Sequence, residues 1–214
     1  YVVIAEYLEW RSTRLGTGLG SVLISARDEH GQPFDQQDVL NCGFLLFVAG
    51  LDTVTSTMTF IWRHLARNAE ARRELVSMID DREKLTVAVD ELLRIHSVPN
   101  IYRRVKKDMV YRGITMKEND RVVLPCSVAN RDEKVFEHAD VIDLHRQINN
   151  HLTFGAGPHR CVGSHLAKTE VTIALQEWLR RIPDFGVAAD ARIEGHLGPT
   201  LGFSQLPQIG RAHV

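Results

Sequence analysis

The decapeptide Phe154-Gly155-Ala156-Gly157-Pro158-His159-Arg160-Cys161-Val162-Gly163 places one cysteine on a glycine-rich loop immediately before a strongly patterned helix. The amides and the dipole at a helix N-terminus stabilise a thiolate over a thiol. The glycines let the backbone turn sharply, and they leave room for a large flat group to lie against the loop. We therefore expect Cys161 to be a ligand rather than a packing residue.

Other interpretations of the cysteines fit the sequence less well. A structural zinc site needs three or four clustered Cys or His ligands, and the sequence contains no Cys-x-x-Cys. A disulfide framework is disfavoured because the cysteines number three, at Cys42, Cys126 and Cys161. We expect Cys42 and Cys126 to be buried and inert. For Cys161 the favoured partner is a haem iron that takes the sulfur as its axial ligand.

Composition places the chain among ordinary soluble globular proteins. Its 214 residues are 44% hydrophobic and 25% charged, with a formal net charge of -1. This balance gives no reason to expect nucleic acid or an anionic membrane as a partner. The longest apolar stretch, Val39 to Leu51, is shorter than the ~20 residues needed to cross a bilayer, so it predicts a buried helix. The cysteine usage and the lack of a visible signal peptide favour a cytoplasmic protein.

Hydrophobic periodicity predicts a mainly α fold with a small β portion. A long central helix is expected at about 36–68, with Asp35 as its N-cap, and further helices at about 69–79, 81–95 and 163–181. Short strands are expected at 101–105, 109–111 and 121–124, and a final hairpin at 195–206. The polar segment 130–150 has no regular pattern, and a loop of that length usually has a functional role.

Two further short motifs contain residue types that could have a functional role. Ala49-Gly50-Leu51-Asp52-Thr53 puts an acid and an alcohol in an apolar helix, where the hydroxyls that follow could bend or open it. The alternative is a simple kink with a solvated Asp52. Glu91 and Arg94 share one helix face at i and i+3. By spacing alone, this pair could be an ordinary surface contact.

Together these strings resemble, in order, the signatures of the cytochrome P450 family, and most closely those of soluble bacterial P450s of the camphor-hydroxylase type. The resemblance implies the C-terminal half of a P450 fold over residues 1–208. It implies haem b held by Cys161 on the 154–163 loop with Phe154 and Gly155, and oxygen activation assisted by Gly50, Asp52 and Thr53. It also implies a buried Glu91–Arg94 pair joined by Arg146, and propionate contacts from Arg103, His151 and His159.

The implied activity is that of a haem-thiolate monooxygenase. Such an enzyme inserts one oxygen atom of O2 into an apolar small molecule, with electrons from a ferredoxin-type donor and its reductase. Leu46, Val48, Val98, Ile101 and Phe203 are candidates for the apolar pocket. Two alternatives remain: a haem-binding or sensor protein without turnover, and an inactive fragment.

The ends of the chain favour a partial sequence. The first residue is Tyr1, and such P450s are about twice this length, so we expect an N-terminal half to be missing. Residues 209–214 resemble the translation of a sequencing adapter and are predicted to be a non-native tail, although a genuine polar tail is the alternative.

Overall fold

The computed structural model of the chain describes residues 1–188 and 190–211. The helices are α1 (Val2–Ser12), α2 (Leu19–Ser25), α3 (Gln36–Arg67), α4 (Ala69–Ser77), α5 (Arg82–Ile95), α6 (Cys126–Ala129) and α7 (Ser164–Arg181). The strands are β1 (Asn100–Arg104), β2 (Met109–Tyr111), β3 (Ile114–Met116), β4 (Arg121–Pro125), β5 (Asp184–Val187), β6 (Gly195–His196), β7 (Gly202–Phe203) and β8 (Gln208–Arg211). The predicted fold class, mainly α with a small β portion, is confirmed.

Side-chain caps fix where the long helices begin. The Asp35 carboxylate accepts the backbone N–H of Asp38 at 2.7 Å, as predicted for the start of α3. At the start of α5, Asp81 accepts from the N–H groups of Glu83 and Lys84, both at 3.1 Å. These bonds satisfy amides that have no partner inside the helix.

The strands form small antiparallel pairs rather than one large sheet. β1 pairs with β4, β2 with β3, β5 with β8 and β6 with β7. The last of these pairs is the predicted hairpin near residue 200. Residues 209–211 of the predicted tail lie in β8, and residues 212–214 lie outside the described residues.

The chain divides into two compact units, residues 1–52 and 53–214. The hydrophobic core of the second unit joins the C-terminal part of α3 to α4, α5 and α7. Its fully buried members include Ile61, Leu65, Leu85, Leu92 and Leu175. Because α5 and α7 pack in this core, the residues that they carry toward the Cys161 loop have a rigid support.

In the first unit, the apolar half of α3 is much less buried than the sequence predicted. Phe44, Leu45, Phe47, Val48 and Leu51 are all exposed, as is Cys42, so the prediction that Cys42 is buried was wrong. A unit of 52 residues is too small to cover an apolar helix on every side. By contrast, Cys126 is buried as predicted.

Helix α3 is also long and apolar enough to cross a membrane, judged by length and composition alone. Only 17% of its most apolar window is buried. Core helices of soluble proteins pass the same test, so the property does not by itself assign the helix to a bilayer.

Candidate functional site

The Cys161 loop is a closed turn that ends where α7 begins. The Cys161 N–H donates to the carbonyl of Phe154 at 2.8 Å, which ties the end of the loop to its start. Residues Gly157–His159 form one turn of 3-10 helix between them. The Cys161 side chain is exposed, so its sulfur is accessible to a ligand.

Two glycines let the loop take this shape. Gly155 and Gly157 both have φ of +68°, in the left-handed region that L side chains rarely adopt. A Cβ on Gly155 would lie 3.7 Å from the Ile101 Cδ1 atom of β1, whereas a Cβ on Gly157 would meet nothing within 4 Å. The loop therefore lies close to β1 on one side and has open space on another.

The donor set around this loop fits a haem. Within residues 1–188 and 190–211, no three His, Cys, Asp or Glu side chains cluster as ligands for a metal ion. At this loop, the exposed thiol of Cys161 is the candidate ligand. One thiolate would suffice to hold a haem iron, because the porphyrin itself supplies most of the iron's ligands.

Glu91 and Arg94 form a completely buried ion pair on α5. Both side chains are 0% exposed. Arg94 Nε donates to Glu91 Oε2 at 2.8 Å, and Arg94 Nη2 donates to Glu91 Oε1 at 2.7 Å. This two-pronged geometry is the strong form of a carboxylate–guanidinium contact. The alternative of an ordinary surface pair is therefore excluded by the geometry.

The Arg94 side chain also binds backbone carbonyls of the irregular segment 130–150. Its Nη1 donates to the carbonyls of Asn130 and Ala139, both at 2.7 Å, and its Nη2 donates to the carbonyl of Val141 at 3.1 Å. The Phe136 ring centroid lies 4.9 Å from Arg94 Cζ. One guanidinium thus supplies hydrogen-bond partners that regular secondary structure would otherwise provide.

Glu91 holds the next part of the same segment. It accepts from Arg146 Nε at 3.1 Å, from the Asp143 N–H at 3.0 Å and from Asn149 Nδ2 at 3.0 Å. Burial alone would raise the pKa of Glu91, but the hydrogen bonds from Arg94, Asp143 and Arg146 outweigh it and lower that pKa. The Glu91 carboxylate therefore stays charged and pairs with both Arg94 and Arg146.

The three predicted propionate ligands are placed differently from one another. Arg103 is exposed on β1, and strand alternation puts it on the same face as Ile101, which lies beside Gly155. His159 is exposed in the turn before Cys161. His151 points inward instead: its side chain is 5% exposed and its Nε2 lies 3.9 Å from Asp90 Oδ1.

Gly50, Asp52 and Thr53 lie in α3, which stays α-helical throughout rather than opening locally. Asp52 is exposed, and Thr53 is partly buried. The predicted bonding of hydroxyls to the preceding turn is present, because Thr57 Oγ1 donates to the Thr53 carbonyl at 2.8 Å. A Cβ on Gly50 would meet nothing within 4 Å, so the helix surface is open there.

Asn130, which was not among the predicted site residues, is fully buried and links α5 to the segment before the loop. Its Nδ2 donates to the Arg94 carbonyl at 3.1 Å and to Thr153 Oγ1 at 2.9 Å. Its Oδ1 accepts the Leu152 N–H at 2.7 Å. No periodic or motif signal marks a lone asparagine in an irregular segment, so only packing reveals it.

Comparison with known proteins supports the same assignment for most of the chain. The family described as Cytochrome P450 matches residues 12–183. The chain is 40% identical over 176 residues to a probable cytochrome P450 127A1 from Sinorhizobium fredii, covering 82% of this chain and 42% of the relative. It is 38% identical over 166 residues to the 20-oxo-5-O-mycaminosyltylactone 23-monooxygenase of Streptomyces fradiae, covering 77% of this chain and 38% of that protein.

Solved structures give the same picture for the fold. The crystal structure of CYP101J2 superposes with a TM-score of 0.88 at 29% identity, covering all of this chain and 53% of that protein. The cytochrome P450 PksS of Bacillus subtilis superposes with a TM-score of 0.87 at 30% identity, covering 97% of this chain and 53% of that protein. The chain therefore spans about half the length of the relatives that it matches.

Proposed function

Because the chain belongs to the cytochrome P450 family, we propose that the whole protein is a haem-thiolate monooxygenase acting on an apolar small molecule. The observation that carries the proposal is the exposed Cys161 thiol. It lies on a loop whose ends are joined by the Cys161 N–H and whose shape depends on the positive φ of Gly155 and Gly157. The names of the relatives are consistent with it, since one of them is a monooxygenase.

Haem b is the cofactor that this loop would hold. Cys161 would hold its iron through the sulfur, with Phe154 and Gly155 at the start of the loop. Arg103 and His159 are exposed, and the guanidinium and imidazole N–H groups can donate hydrogen bonds to haem propionates. When bound, the haem supplies the activation of O2, and a thiolate ligand favours O–O cleavage.

The protein's own contribution to the chemistry is the delivery of protons. We assign this role to Asp52 and Thr53 on α3, with Gly50 leaving space at the helix surface. Asp52 would exchange protons with solvent, and the Thr53 hydroxyl would pass them to the reacting oxygen. The exposed Asp52 and the partly buried Thr53 suit a transfer from water to a protected site.

We propose that the electrons come from a separate protein, since residues 1–214 contain no flavin or dinucleotide motif of their own. A ferredoxin-type donor with its reductase is the partner proposed, in the cytoplasm. The substrate is proposed to be hydrophobic, because Ile101 places an apolar side chain beside Gly155 of the Cys161 loop.

The test is the absorption spectrum of the reduced, carbon-monoxide-bound whole protein. We expect the band typical of thiolate-ligated haem, and its loss in Cys161→Ala. Cys126→Ala is the matched control, because Cys126 is buried and should leave the band unchanged. A spectrum typical of histidine-ligated haem, or one that persists in Cys161→Ala, would refute the proposal.

A further inference from the structure

Asp90 lies next to Glu91 on α5 but makes a separate set of contacts. Its Oδ1 lies 2.5 Å from Lys168 Nζ on α7 and 3.9 Å from His151 Nε2 in the segment before the Cys161 loop. The Asp90 side chain is 25% exposed, so these contacts are only partly screened by water. One carboxylate thus touches the chain on both sides of the loop.

Both nitrogens of His151 are directed to partners within the protein. Its Nδ1 accepts the Thr153 N–H at 3.3 Å, so in the neutral ring the proton is on Nε2, which faces Asp90. With 5% of its side chain exposed, His151 has almost no surface to offer a propionate. The position of His151 therefore suits a residue that ties the segment before the Cys161 loop to α5 (an anchor) better than a residue that contacts the haem.

The same groups surround Phe154, the first residue of the loop. The rings of His151 and Phe154 have centroids 5.8 Å apart, and Lys168 Nζ lies 6.0 Å from the Phe154 ring centroid. The Phe154 carbonyl accepts the Cys161 N–H at 2.8 Å. The chain of contacts therefore runs from Asp90, through His151 and Lys168, to Phe154 and then to Cys161.

We propose that Asp90 is a positioning residue for Cys161, which ties the segment before the loop and the helix after it to α5. The proposal rests on the proposed haem-thiolate function. It assigns His151 to this anchor instead of to a propionate. Burial raises the pKa of Asp90, but the neighbouring His151 ring and Lys168 ammonium outweigh it and lower that pKa, so the Asp90 carboxylate stays charged.

The test uses the whole haem-loaded protein and two measurements. The first is the fraction of the reduced carbon-monoxide complex that keeps the thiolate-type band, and the second is the rate of haem release to a haem-scavenging protein. We expect Asp90→Asn to lower the thiolate fraction and to speed haem release about tenfold, the effect of losing one close, partly buried ion pair. Asp90→Glu, which keeps the charge, should restore most of both properties.

Asp80→Asn is the matched control. Asp80 pairs with Arg180 at the far end of α7 at 2.6 Å, and both side chains are largely exposed. We expect this variant to match the wild type in both measurements. Equal behaviour of Asp90→Asn and Asp80→Asn, or a lower melting temperature of Asp90→Asn with an unchanged thiolate fraction, would overturn the proposal.

A double-mutant cycle tests the assignment of His151. If Asp90 acts through His151, Asp90→Asn and His151→Gln together should release haem only slightly faster than Asp90→Asn alone. Fully additive effects would mean that His151 acts on the haem independently, which contradicts the anchor. A wild-type protein that lacks the thiolate band would instead refute the proposed function, so the two failures are distinguishable.

Discussion

Replacing Glu91 by alanine should destabilise the protein severely, although Glu91 is not expected to touch the haem. The substitution leaves the Arg94 guanidinium buried, with 0% of its side chain exposed and no carboxylate beside it. It also removes the acceptor for Arg146, for the Asp143 N–H and for Asn149. Each of these donors would then lack its buried partner.

The size of the effect follows from this burial. Removing one partner of a buried ion pair costs about 3–5 kcal/mol, because the other charge stays desolvated. A protein is stabilised by only ~5–15 kcal/mol in total, so the loss is a large share. We expect Glu91→Ala to contain little haem, because residues 143–149 lose the carboxylate that holds them. Arg94→Ala should behave similarly, since it leaves the carbonyls of Asn130, Ala139 and Val141 without this donor.

The assay is haem content per polypeptide together with the melting temperature of the whole protein. Glu177→Ala is the control, since Glu177 pairs with Arg180 and Arg181 on the exposed face of α7 and should cost well under ~1 kcal/mol. If Glu91→Ala and Arg94→Ala retained the haem content and melting temperature of Glu177→Ala, the buried pair would have no special role.

Three other predictions test different parts of the molecule. Thr53→Ala in the whole protein should keep haem and substrate binding but divert electrons to peroxide, measured as product per reduced cofactor consumed; unchanged coupling in both Thr53→Ala and Asp52→Asn would exclude this pair as the proton relay. Burial, with added repulsion from nearby cations, lowers the pKa of His96 from 6.5 to about 3. As the pH falls below 6.5, the unfolded state binds a proton at His96 while the folded state does not. The free energy of unfolding should therefore fall by about 2 kcal/mol between pH 6.5 and pH 5. The melting temperature should fall less over this range in His96→Gln, and an equal fall would refute the assignment. Finally, residues 1–214 produced alone should aggregate and bind little haem, because the apolar side chains of the N-terminal half of α3 are exposed. Size-exclusion chromatography and haem content would check this, and a monomeric, haem-loaded product would contradict it.

The sequence predicted the elements that have a strong local signal. Helices α3, α5 and α7 have long apolar periods, and α3 and α5 begin at an aspartate cap. The strands β3, β5 and β8 were missed because three or four residues are too few for alternation to stand out as a signal. β5 and β8 also pair across a long separation along the chain, which local patterns cannot indicate.

The residues of the candidate site could be predicted only where they form a motif with fixed spacing along the sequence. Cys161 and the pair Glu91–Arg94 are recognisable from short motifs. Asp90 and Asn130 were not, because their importance depends on which distant groups fold against them. The prediction for Cys42 was wrong for a related reason: burial is a property of the assembled surroundings, and an apolar sequence neighbourhood does not guarantee it.

The contacts of the Glu91–Arg94 pair also constrain the order in which the molecule folds. Its hydrogen-bond partners lie 36 to 58 residues further along the chain, from Asn130 to Asn149. During synthesis, α5 therefore emerges well before the residues that form hydrogen bonds with Glu91 and Arg94. Bringing residues so far apart in sequence together also has an entropic cost. Burying the two charges without these partners would be costly, so we expect α5 to settle in the core late. The Cys161 loop, which follows Asn149, therefore completes its site only after this late step.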